Sequence, residues 1–172
     1  VQQGALRGWL RSGASETLYQ ENDRQITEKS IHGQRANTRP HAKPWALKIG
    51  YISPHPPFTV PQRLLDLYPE NAMPLPERYR PGDRPEHPAA RHLRKIDGYR
   101  DLTDERVLRR IAAAYFGLIT HIDEQVAAVL KAVEPLGLLA TPRVIPTSDP
   151  CAPRGRPGLF RQPRRSDGSA VR

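Results

Sequence analysis

From Val107 to Val133 apolar side chains recur in steps of three and four, at 107, 108, 111, 115, 118, 119, 122, 126, 129, 130 and 133. That is the spacing of one face of an α-helix. Thr103 or Asp104 caps its start, with Asp104 and Glu105 in the first turn, where the helix dipole favours negative charge. Pro135 and Gly137 stop it. At 1.5 Å per residue such a helix runs roughly 45 Å, long enough to cross a whole sheet. A chain of 172 residues fits one domain with a real core, and the architecture must supply a surface for that stripe to cover.

Two β-leaning segments bracket the helix. Trp45 to Ser53 reads as a buried strand, with Ala46, Leu47, Ile49, Tyr51 and Ile52 interrupted only by Lys48 and Gly50. Arg143 to Asp149 reads as a second, although Pro146 cannot donate within a central ladder. Strand, helix and strand in that order form a βαβ unit, which nearly always crosses over right-handed. The expected class is α/β with a mostly parallel sheet. Ligands of such sheets collect beyond the carboxyl ends of the strands. His55 stands at the end of the first strand and Asp149 at the end of the second, so an imidazole and a carboxylate converge on one sheet edge. Pro54, Pro56 and Pro57 fix the backbone around His55. The same residues also read as a rigid exit loop carrying an idle histidine. His121 and Asp123, within the long helix, read as a solvated or core-edge pair.

The remainder is less regular. A charged, glycine-free run from Tyr19 to Ser30 reads as a helix marked by Ile26 and Ile31, fading into a polar connector at Gly33. Prolines recur from Pro54 to Pro88, and only Pro61 to Pro69 has room for a helical turn or two. A segment so long and irregular is a functional loop or a disordered one, and Tyr68, Tyr79 and Tyr99 favour a loop packed over the strand ends. The division expected is a poorly defined segment 1–18, an α/β domain 19–149 and a basic tail 150–172. Six arginines face one aspartate in the last twenty residues, which carry much of the net charge of +9. Such a tail is either a basic arm contacting phosphates or a segment without selected structure, as a frame slip in a GC-rich gene would yield. The single Cys151 excludes an internal disulfide and a multi-cysteine metal cluster. No apolar run approaches the ~20 residues of a membrane span, and no signal-peptide pattern opens the chain. The expectation is a soluble cytoplasmic protein with no membrane partner.

Several motifs occur in a telling order: Tyr19, Asp23-Arg24 and Ile26; Lys43-Pro-Trp45; Ser53-Pro-His-Pro-Pro-Phe58; Leu67-Tyr-Pro69; Met73-Pro-Leu-Pro76; His87-Pro88; Ala113 to Thr120 with Ile122-Asp123; Val144-Ile145; and Thr147-Ser-Asp149. The series resembles the middle of type I sulfatases, closest to the choline-sulfatase and phosphonate-monoester-hydrolase branch of the alkaline phosphatase superfamily. It covers roughly residues 16 to 149. The resemblance implies part of an alkaline-phosphatase-like α/β/α sandwich and hydrolysis of a small anionic sulfate or phosphonate ester. In that family a formylglycine hydrate, made from Cys or Ser in a C/S-x-P-S-R motif, attacks the sulfur or phosphorus. A divalent metal, calcium or manganese, polarises the oxyanion. The histidine matching His55 assists the leaving oxygen, and the aspartate matching Asp149 ligates the metal.

The departures carry equal weight. Pro150 follows Asp149 where the family has His or Asn, Cys151 replaces a glycine, and the expected lysine falls at Gln162 beside Arg161. No Cys or Ser of this chain stands in C/S-x-P-S-R. The expectation is therefore a sulfatase-like piece inactive alone, with metal binding in doubt and open sheet edges inviting self-association. The rival, from a different class, is a basic nucleic-acid-binding protein using its arginine-rich tail. Against it stand the lack of an aromatic stacking platform and of a binding motif.

Overall fold

A computed structural model describes residues 13–36, 46–76, 79–83, 87–88, 104–136 and 144–148. They form a small α/β unit of three helices on a two-stranded parallel sheet. The strands β1 (Gly13–Ala14) and β2 (Thr59–Val60) pair Gly13 with Thr59 and Ala14 with Val60. Helix α1 spans Leu18–Ala36, α2 spans Gln62–Leu65 and α3 spans Glu105–Val133. Gly13 sits at φ +125°, a backbone conformation that a side chain would strain.

The long helix matches its sequence pattern closely. Asp104 caps α3, its side chain accepting from the amides of Arg106 at 2.9 Å and Val107 at 3.4 Å. Leu108, Ile111, Tyr115, Leu118, Val129 and Val133 are buried, whereas Ile119, Val126 and Leu130 stay exposed. The helix turns Ile111, Ala114, Tyr115 and Leu118 onto Phe58, Val60 and Leu64, and these seven form the main buried cluster among the described residues. Phe58 meets Tyr115 edge-on at 5.7 Å. Helix and strand come so close at Gly117 that a Cβ there would lie 3.0 Å from Val60 Cγ1. Three small residues the apolar pattern passes over, Ala113, Ala114 and Gly117, are buried as well.

The proline-rich segment is fastened to α3. Tyr68 stacks on Phe116 at 5.3 Å and shares a 2.7 Å hydrogen bond with the Thr120 hydroxyl. Arg109 donates to the Met73 carbonyl, and Arg110 pairs with Glu70 at 2.9 Å. Tyr79 donates to Glu105. Tyr68 and Tyr79 thus lie along the helix, not over strand ends; Tyr99 lies outside the described residues.

Three expectations need correction. First, residues 46–53, the described part of the Trp45–Ser53 segment, form no strand. The amides of Ile52 and Ser53 are taken by a side chain of α1, and Leu47 and Ile52 remain 47% and 40% exposed. Second, residues 144–148 of the Arg143–Asp149 segment are irregular and exposed, Ile145 at 79%. Pro146 withholds a ladder donor there. The parallel pair is instead built from Gly13–Ala14 and Thr59–Val60, so α3 does not bridge the two segments expected to flank it as strands. Third, α1 continues through Gly33 to Ala36, three residues beyond the expected break. Among the described residues no helix is long and apolar enough to cross a membrane.

Candidate active site

Helix α1 opens with a reciprocal cap. The Thr17 hydroxyl accepts from the Tyr19 amide at 3.3 Å, and Gln20 Oε1 accepts from the Thr17 amide at 2.7 Å. Thr17-Leu-Tyr-Gln20 is the T-x-x-Q form of a capping box. The other end of the Gln20 amide donates to the Thr59 carbonyl at 2.8 Å, tying the helix start to β2.

One turn further, Asp23 is fully buried. A buried carboxylate is costly unless its oxygens are hydrogen-bonded. Here Oδ1 accepts from the Ile52 amide at 2.8 Å and Oδ2 from the Ser53 amide at 3.2 Å. The next turn adds Thr27, whose hydroxyl donates to the Asp23 carbonyl at 3.0 Å and lies 3.1 Å from the Tyr51 hydroxyl. Three consecutive residues, 51 to 53, are therefore held against α1 by polar contacts.

His55 follows directly. Its amide donates to the Ile52 carbonyl at 3.2 Å, closing a turn. The ring is exposed, with Nδ1 3.0 Å from the Pro56 carbonyl oxygen and the Tyr19 ring edge-on at 6.3 Å. The expected imidazole is thus presented to solvent on a backbone tied down at several points. Asp149, its expected partner, lies outside the described residues.

A second histidine approaches from α3. His121 is 1% exposed, and its Nε2 stands 4.0 Å from Asp23 Oδ2. Burial pushes the His121 pKa below its ordinary value, although the Asp23 charge pulls the other way. Burial thus favours the neutral ring. His121 Nε2 and Ser53 Oγ are buried without a hydrogen-bond partner among the described residues. Asp123 faces solvent, so His121 and Asp123 do not act as a pair. The functional group missed from the sequence is Asp23, and the capping box one turn upstream is the local signal that marks the buried face of α1.

The sequence resemblance implies a divalent metal. Among the described residues no three His, Cys, Asp or Glu side chains gather as a metal site. Asp23 does not fit one, because two amide N–H groups aim at its oxygens and supply the positive dipoles that a cation would replace.

The wider comparison agrees with the order of motifs. Residues 5–166 match the sulfatase family. The chain is 30% identical over 159 residues, 92% of its length, to an arylsulfatase of Clostridium perfringens, and covers 32% of that protein. It is 31% identical over 140 residues, 74% of its length, to mouse iduronate 2-sulfatase, covering 25% of it. With a choline-sulfatase of Rhizobium meliloti it shares 28% identity over 153 residues, 83% of its length and 28% of that protein. This chain belongs to the sulfatase family. It spans no more than about a third of the length of these relatives.

Proposed function

We propose that this chain contributes part of a sulfatase-type active site, in a protein that hydrolyses sulfuric esters or phosphonate monoesters. In this reading His55 faces the transferred group and gives a proton to the leaving oxygen, which is general-acid work suited to an imidazole. Asp149 supplies an oxygen ligand to a divalent metal such as calcium or manganese, whose chemistry would be to polarise the ester oxyanion. In the finer fold reading, the parallel pair and its covering helix belong to an alkaline-phosphatase-like α/β/α sandwich. The observation that carries the proposal is an exposed imidazole on a tethered backbone in a chain of this family.

The chain alone is proposed to be inactive, since no residue of it stands in C/S-x-P-S-R. Incubating the 172-residue chain with an aryl sulfate or a phenylphosphonate monoester, with calcium or manganese, should give no hydrolysis above background. Sustained turnover lost in His55→Ala would overturn the inactivity while supporting the role of His55. The same esters should shift the His55 ring resonances; unchanged resonances at saturating ester would count against the imidazole facing the transferred group. The nucleic-acid reading rests on 150–172, outside the described residues, and no separate observation favours it.

A further inference from the structure

The geometry points to Asp23 as the positioning residue for His55. The inference rests on the reading of His55 as the group facing the ester, and it concerns how that imidazole is held. Ile52 is the link. Its amide donates to Asp23 Oδ1 at 2.8 Å, and its carbonyl accepts the His55 amide at 3.2 Å. The second Asp23 oxygen takes the neighbouring Ser53 amide at 3.2 Å. One carboxylate thereby fixes two successive peptide N–H groups just ahead of the turn that carries the imidazole.

The arrangement has features of a device for holding a loop. A fully buried carboxylate makes charge-assisted hydrogen bonds, which are shorter and stronger than neutral ones. No strand holds residues 46–53 among the described residues, so the main-chain support ahead of His55 comes from this side chain. His121, 4.0 Å from Oδ2 and too far for a hydrogen bond, leaves both Asp23 oxygens to the amides. The Tyr19 ring, one turn before Asp23 on α1, stands nearly perpendicular to the His55 ring at 6.3 Å between centroids. Imidazole, ring edge and carboxylate are thus referred to one helix.

The test uses the full chain, labelled for NMR. Asp23→Asn keeps the side-chain volume but turns an N–H group toward an amide N–H, and Asp23→Ala removes both acceptors. In each variant the Ile52 and Ser53 amides should exchange with solvent about tenfold faster or more. The His55 ring protons should also lose the shift imposed by the Tyr19 ring, to the value seen in Tyr19→Leu. The slowest-exchanging amides of α3 should speed up only as far as the loss of overall stability in denaturant unfolding requires, and should remain the slowest, which separates loss of position from loss of fold. Unchanged His55 shifts and unchanged exchange at Ile52 and Ser53 in Asp23→Asn would overturn the proposal. So would faster exchange at those amides with the His55 ring undisturbed. If Asp23→Ala does not fold, Asp23→Asn decides; if neither folds, unprotected Ile52 and Ser53 amides in the unsubstituted chain overturn the proposal and protected ones support it. Failure of the catalytic reading would look different: ester would leave the His55 resonances unmoved while the Asp23 variants still released the segment.

Discussion

Helices α1 and α3 pack against one another, yet they are seated by opposite chemistry. The buried face of α3 is apolar along most of its length, with His121 the exception. The buried face of α1 is Gln20, Asp23, Thr27, Ser30 and Gln34, polar at every position. Both stripes step by three and four residues, so the geometry is shared and only the substance differs. Burying α3 removes hydrocarbon from water at about 25 cal/mol per Å², a gain indifferent to direction. Burying α1 has a cost unless each polar group finds a partner. Gln20, Asp23 and Thr27 find theirs on residues 51–53 and 59, where the backbone runs toward and away from His55. The apolar helix makes the core, and the polar one shapes a loop.

The largest expected effects set the two faces against each other. Leu118→Ala should cost about 2–5 kcal/mol in denaturant unfolding, the range for a cavity in a packed core. Asp23→Ala should cost about 2–4 kcal/mol, because two buried amides lose their acceptor. The two should differ in where the loss is felt: Leu118→Ala lowers protection throughout α3, whereas Asp23→Ala acts first at Ile52 and Ser53. Equal effects on all amides in both variants would erase the distinction. Gly117→Ala comes next, at about 1–3 kcal/mol, because the added methyl meets Val60 at 3.0 Å in a filled core. A neutral result would mean that β2 yields easily to the helix.

His121 gives a pH test of the junction between the helices. Asp23 and Arg24 from α1, Arg63 from α2 and Glu124 from its own helix are the charged groups acting on it. Its folded pKa is lowered, so the unfolded chain takes up the proton first, near the ordinary histidine value of about 6.5. The stability tied to the neutral ring is complete above that pH and falls as the pH drops toward the lowered folded value. The slope is at most about 1.4 kcal/mol per pH unit. Thermal melts from pH 8 to 4 should show a shallower acid loss in His121→Gln than in the parent; parallel curves would refute the assignment. The smallest effect belongs to the surface. Arg63 and Glu124, paired at 2.7 Å on exposed side chains, should contribute no more than about 1 kcal/mol, and Arg63→Ala should lose less in high salt than in low, where the pair is unscreened.

The contrast also explains what could be read from the residues alone. The existence, cap and apolar face of α3 were legible because hydrophobic periodicity reports burial directly, and Asp104 has the chemistry of a helix start. The buried face of α1 was not, since that method counts polar positions as exposed; Ile26 and Ile31, its expected markers, are only half-buried. Trp45–Ser53 has the composition of a strand, but whether an extended segment becomes one depends on a neighbour, which composition does not reveal. For the site, the order of motifs singled out His55 without Asp23 as its anchor, because an aspartate and an amide 29 residues apart leave no joint trace in spacing. Asp149 rests on the motif alone.

The cap that begins α1 has a mechanical consequence. An apolar face holds a helix through the fit of many side chains at once, with no single atom bound to a single partner. Gln20, Asp23 and Thr27 grip fixed points on the facing chain, so a slip of one residue, about 1.5 Å, would unhook all three together. Helix α1 therefore works as a ratchet pawl locked in one notch, and the turn that carries the imidazole is hooked to that same notch.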